Sequence, residues 1–142
     1  MYEKIFLAGN LGRDPELRYT PNGTAVASFS VATNERWTDS GGQPQQRTIW
    51  WRVKVWGKQA ETVSEHLKKG SQVFIEGRMD PDPETGGPRV WTGSDGRSRA
   101  SFEIVAQRIR FTGRRGGAAV FDEPRDEDIP PEAHFGEGEP NF

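Results

Sequence analysis

Thr48-Ile49-Trp50-Trp51-Arg52-Val53-Lys54-Val55-Trp56 alternates at every second residue between two unlike faces. Successive side chains of an extended strand point to opposite sides. Ile49, Trp51, Val53 and Val55 therefore make a face that can be buried, and Trp50, Arg52, Lys54 and Trp56 make the other. That second face sets flat rings at both ends of a pair of cations. A ligand that is anionic along its length and carries stackable rings fits it, and single-stranded nucleic acid has both properties. The plainer alternative is that Trp50 and Trp56 are half-buried sheet aromatics, because strands favour Trp for packing alone. Two such rings bracketing Arg52 and Lys54 on one face favour the ligand.

Outward from this stretch, residues 4–11 read as a strand that is apolar on both sides, with Ile5, Leu7 and Leu11 on one and Phe6 and Ala8 on the other. A strand wet on one side needs only one apolar face. The pattern predicts a barrel interior on one side and another subunit or a covering element on the other. Residues 25–34 alternate again, with Ala25, Ala27, Phe29 and Val31 opposite Ser28, Ser30 and Ala32. The polar, glycine-rich link 38–44 joins this strand to the 48–56 strand, with Trp37 at its shoulder either folded over the strand edge or offered to a base. After Trp56 the period changes: Ala60, Val63 and Leu67 recur at helical spacing, and Gly70 supplies a C-terminal cap. Residues 71–79 form a further strand with Val73 and Ile75 inward.

The glycine- and proline-rich segment 80–96 is long enough to be functional or disordered. Together with the adjoining residues 97–99 it carries Arg89, Trp91, Arg97 and Arg99, the same mixture of cations and rings. Trp91 either stacks on a base or caps a solvated hairpin. A last strand spans 100–111 and shifts its apolar register near Ala106 and Gln107, where a bulge is expected.

The chain has 142 residues, enough for one domain and a tail. Hydrophobic residues make up 32%, a low share, and the Gly and Pro are concentrated in places. Residues 113–142 are predicted to be a disordered acidic tail and 1–112 the folded domain. The net charge of −2 conceals an asymmetry: residues 1–115 hold 18 Lys+Arg against 13 Asp+Glu, and residues 116–142 hold 1 against 8. With no Cys and two His, one of them His134 in the tail, a thiolate or imidazole metal site and a Ser-His-Asp triad are not expected. A nuclease would need clustered carboxylates, and the dense acidic group Asp126-Glu127-Asp128 lies in the tail. No phosphate-cradling glycine loop or nucleophile elbow occurs, so neither an enzyme nor a cofactor is expected. No apolar run is long enough to cross a bilayer, and no signal segment is visible, which predicts an intracellular protein. A carbohydrate-binding module would also present Trp, but it leaves the alternating Arg and Lys unexplained.

Five strands with a helix between the third and fourth is the order of the OB-fold, an all-β Greek-key barrel. Gly9-Asn10-Leu11-Gly12-Arg13-Asp14-Pro15-Glu16, Arg18-Tyr19-Thr20-Pro21-Asn22-Gly23, Trp50-Trp51-Arg52-Val53 and Lys69-Gly70-Ser71-Gln72-Val73-Phe74-Ile75-Glu76-Gly77 resemble the signature segments of bacterial single-stranded DNA-binding proteins. The resemblance covers residues 1–112. It implies a homotetramer that wraps single-stranded DNA without sequence preference in replication, recombination and repair, in the bacterial cytoplasm at the nucleoid. An OB-fold that binds RNA or assists a primosome is the alternative. By position, Trp37, Trp50, Trp56 and Trp91 fall where the family has base-stacking aromatics. The cations already picked out by alternation and composition, Arg52, Lys54, Arg89, Arg97 and Arg99, are the expected phosphate contacts. Trp51 departs from the family and is left to core or subunit contact. The family's acidic docking tail implies recruitment of replication and repair proteins through Asp126, Glu127, Asp128, Ile129 and Pro130, or through Glu137, Glu139 and Phe142. A solvated acidic extension is the alternative for that segment.

Overall fold

The computed structural model describes the backbone of residues 2–115 and side chains through residue 111; of the expected tail, residues 113–115 continue the last strand and 116–142 lie outside the described residues. Along the chain run β1 (Ile5–Leu11), β2 (Glu16–Tyr19), β3 (Ala25–Thr38), β4 (Pro44–Trp56), α1 (Lys58–His66), β5 (Ser71–Met79), β6 (Arg89–Thr92) and β7 (Ser98–Arg115). Neighbouring strands follow the order β1-β5-β7-β4-β3, and β3 returns to β1 through Asn10↔Ala32 and Leu11↔Val31, which closes a five-stranded barrel. β2 lies on the free side of β3, and β6 forms a hairpin with β7. The fold is the expected OB barrel with one short helix.

Alternation accounts for the interior. Leu7, Leu11, Ala27, Phe29, Val31, Val53, Val55, Val73, Ile75, Ile104 and Ile109 point into the barrel, and Ala60, Val63 and Leu67 join the same cluster from the helix and its end. Val53 sits opposite Phe29 on one side and Ile104 on the other, fully buried. Val53→Ala should therefore cost about 1–3 kcal/mol of stability through lost burial and a residual cavity, read as a lower urea midpoint. The β7 bulge also occurs. Glu76 pairs with Arg108 and Gly77 with Ala106, so Gln107 is the extra residue. The close approach there requires glycine, because a Cβ on Gly77 would stand 2.4 Å from the Val105 carbonyl oxygen.

Three local readings change. The polar link 38–44 is mostly strand: β3 and β4 pair out to Thr38↔Pro44. Only the tip turns, where Asp39 Oδ1 accepts from the Gly41 and Gln43 amides at 2.9 Å each and Gly42 takes φ 77°. Backbone pairing there is supported by polar cross-strand contacts, Thr48 donating to Asn34 Oδ1 at 2.7 Å and Arg47 beside Glu35. The helix stops at His66, earlier than its apolar spacing suggests, and Leu67 is already extended. Gly70, φ 85°, serves the turn into β5 instead, its amide donating to the Leu11 carbonyl at 2.8 Å. The segment 80–96 is ordered into a hairpin arm by β6.

The second apolar side of β1 faces outward. Phe6 and Phe74 are 59% and 46% exposed, and their ring centroids lie 6.1 Å apart. Ala8 pairs directly with Phe74 and is exposed as well. Lys4 holds one edge of this surface through an ion pair with Glu76 and a hydrogen bond to Gln107.

Candidate nucleic-acid interface

The outward face of β4 rests beside a row of small residues. Register places Val26 opposite Trp56, Ser28 opposite Lys54, Ser30 opposite Arg52 and Ala32 opposite Trp50. Val26, Ser28 and Ala32 are buried although they point away from the barrel interior. Short side chains on β3 leave room for the long ones of β4 to cover them, which turns a polar strand face into a shallow platform. Trp50 is seated at one end of it. A Cβ on Gly12 would lie 2.5 Å from Trp50 Cζ3, so the ring edge packs against bare backbone.

β7 extends the face on the other side of β4, since Arg52 pairs with Glu103 in parallel register. In the β6–β7 arm Arg89 lies opposite Ser101 and Trp91 opposite Arg99, so strand alternation carries Arg89, Trp91, Arg99 and Glu103 onto the side of Arg52 and Lys54. The charges interlock. Arg52 Nε lies 3.7 Å from Glu103 Oε1, and Lys54 Nζ donates to Asp80 Oδ2 at 3.2 Å. Arg89 bridges both acids, with Nε 2.9 Å from Glu103 Oε2 and Nη2 3.7 Å from Asp80 Oδ1. Arg99 donates to Asp95 Oδ2 at 3.0 Å. Burial pushes the Glu103 carboxyl above its ordinary range, opposed by Lys54, Arg89 and Arg52. Burial also lowers the Arg52 pKa, mainly against the pull of Glu103. Its Nε and Nη1 are shut off from solvent and make no hydrogen bond among the described residues, so the guanidinium is held there by charge beside Glu103.

Of the site residues read from sequence, Trp50, Arg52, Lys54, Trp56, Arg89, Trp91 and Arg99 come together on this face. Trp37 does not. It follows Thr33 and Glu35 in alternation and pairs with Gln45, which places it on the opposite side of the β3–β4 ribbon, with Arg47 5.5 Å above its ring. Arg97 lies at the β6–β7 turn, highly exposed, 3.9 Å from Asp95. Trp51, the departure from the family pattern, packs on the core edge. Its Nε1 donates to Thr33 Oγ1 at 2.9 Å, and its ring tilts against Phe102 at 5.2 Å. Sequence reasoning missed Asp80, Glu103 and Gly12. Glu103 carried a signal, an acidic residue at an outward position of a strand whose inward neighbours are apolar. Among the described residues no three His, Asp or Glu side chains converge as a metal site, and no helix is long and apolar enough to cross a membrane.

An OB barrel whose outer sheet presents spaced Trp rings among Arg and Lys defines a class of nucleic-acid-binding domain. Comparison with known proteins narrows that class. Residues 2–112 match the Single-strand binding protein family. Two curated relatives, the single-stranded DNA-binding proteins of Neisseria meningitidis serogroups A and B, are each 43% identical over 123 residues, covering 84% of this chain and 67% of theirs. Among solved structures, a deletion mutant of the single-stranded DNA binding protein from Thermus aquaticus superposes with a TM-score of 0.59 at 31% identity. The match covers 77% of this chain and 49% of that one. A Plasmodium falciparum SSB in complex with single-stranded DNA gives 0.64 at 26% identity, covering 79% and 96%. The chain belongs to the single-strand binding protein family, whose members are DNA-binding proteins and not enzymes.

Proposed function

We propose that this protein binds single-stranded DNA without sequence preference and protects it in replication, recombination and repair. The observation that carries the reading is the convergence of Trp50, Trp56 and Trp91 with Arg52, Lys54, Arg89 and Arg99 on one outward face. Arg and Lys neutralise phosphates and displace condensed counterions, so affinity falls with salt by about 0.7 log units per phosphate neutralised. Each stacked base adds roughly 1–3 kcal/mol whichever base it is. Duplex DNA hides its ring faces and gains only the electrostatic part. Trp37 and Arg97 belong to the same surface only if the strand turns round the ribbon and the β6–β7 tip, a path that a flexible single strand can take.

The outward apolar strip of Phe6, Ala8 and Phe74 supports self-association into a homotetramer, which would bury it and link several binding faces. Light scattering should return a multiple of the protomer mass at micromolar concentration. Residues 116–142, with their surplus of acid, are assigned to docking of replication and repair proteins and to competition with DNA for the basic domain. The bacterial single-stranded DNA-binding relatives support a place in the cytoplasm at the nucleoid.

Titration of intrinsic Trp fluorescence with oligo(dT), oligo(U), duplex DNA and a soluble polysaccharide tests the function. Strong quenching by oligo(dT), weaker by duplex and none by polysaccharide is expected, and oligo(U) measures the RNA alternative. Quenching by polysaccharide without oligo(dT) would overturn the proposal. Gly12→Ala should forfeit part of the roughly 1–3 kcal/mol of stacking at Trp50 by tilting its ring. The loss should appear in oligo(dT) affinity, with Trp56→Ala retaining its full additional effect.

A further inference from the structure

Three cations of the binding face share two carboxylates, so this cluster holds one net positive charge. Glu103, on β7, is 4% exposed and is faced by Arg52 and Lys54 from β4, by Arg89 from β6 and by Asp80 just beyond β5. Glu16 on β2 adds a further acidic influence on Arg52. A face built only to attract phosphate would leave these acids out, because each repels the DNA backbone. Yet Arg52 is largely buried, and an unpaired buried cation is costly in the free protein.

Resting on the single-strand reading above, we propose that Glu103 and Asp80 are built-in counter-ions. They hold Arg52, Lys54 and Arg89 in place in the free protein and release them to DNA phosphates on binding. That exchange has two consequences. A released carboxylate takes up a solution cation or a proton, which offsets part of the counterion release that three unpaired cations would yield, about 0.7 log units of salt slope each. The Glu103 carboxyl also holds its proton more tightly beside phosphate than beside Arg and Lys. The complex therefore binds more protons than the free components, and affinity rises as pH falls toward the carboxylate range. Burial has already raised Glu103 in that direction.

The test uses the full chain and oligo(dT), read by Trp fluorescence over a series of salt concentrations and from about pH 8 to about pH 5.5. Glu103→Gln and Asp80→Asn each remove one negative charge from the face. Glu65→Gln removes one from the exposed surface of α1, where Glu65 lies 3.9 Å from His66 Nε2. Glu103→Gln should tighten binding about 3- to 10-fold at low salt, steepen the salt slope by up to about 0.7, and flatten the pH dependence. Asp80→Asn should move slope and affinity in the same direction, and it carries the decision if Glu103→Gln lowers the melting temperature. Variants whose slope and pH profile track those of wild type or Glu65→Gln would overturn the inference, as would looser binding by both face variants at an unchanged melting temperature. Wild-type protein that leaves oligo(dT) unbound would overturn the single-strand reading and this inference together. Binding by wild type with indifferent variants removes the inference alone.

Discussion

Replacing Trp50 and Trp56 together by alanine should weaken oligo(dT) binding by about 2–6 kcal/mol, at least roughly 30-fold, while the barrel still folds. Both rings project from the outward face of β4, opposite Ala32 and Val26, and neither belongs to the barrel core. Six residue steps along the strand separate them, about 20 Å, so each serves a different base and the two losses should add. Fluorescence from the remaining Trp residues, or anisotropy of a labelled oligonucleotide, measures the affinity, and a urea curve measures the fold. A double variant that unfolds, or one that binds within about threefold of wild type, contradicts the assignment of this face.

Ile75→Ala should do the reverse, costing about 2–5 kcal/mol of stability with little change in the affinity of the folded fraction. Ile75 is fully buried and stands between Leu7 on β1 and Ile109 on β7, so its loss opens a cavity across three strands of the barrel. For a domain with a total stability of order 5–15 kcal/mol that is a large fraction. The urea midpoint should fall with an unchanged slope. A loss below about 1 kcal/mol would mean that the barrel collapses to fill the site, against the close packing that the fold requires.

The outward face proposed for binding and the core were legible in the same nine residues because strand alternation separates them without reference to anything distant. The bulge at Gln107 was legible too, as a slip in the apolar register of β7. Polar composition hid the true length of the β3–β4 ribbon, whose pairing rests on backbone groups and on partners such as Thr48 with Asn34. Continuing the alternation of Phe29 and Val31 through Thr33 and Glu35 would have placed Trp37 on the opposite side from Trp50. The end of α1 was misread because Leu67 keeps its apolar contact from an extended backbone, so helical spacing outlasts the helix. Pairing of Arg52 with Glu103 and of Lys54 with Asp80 spans long stretches of chain, and only the closed barrel brings those residues together.

Photocrosslinking tests the central claim most directly. Oligo(dT) carrying 5-iododeoxyuridine is irradiated on the full-length protein, and the attached residues are mapped by mass spectrometry. Adducts at Trp50, Trp56 and Trp91, reduced by excess unlabelled oligo(dT) and much less by duplex, are the predicted result. Adducts confined to the Phe6 and Phe74 surface, with none on the outward face of β4, would contradict it.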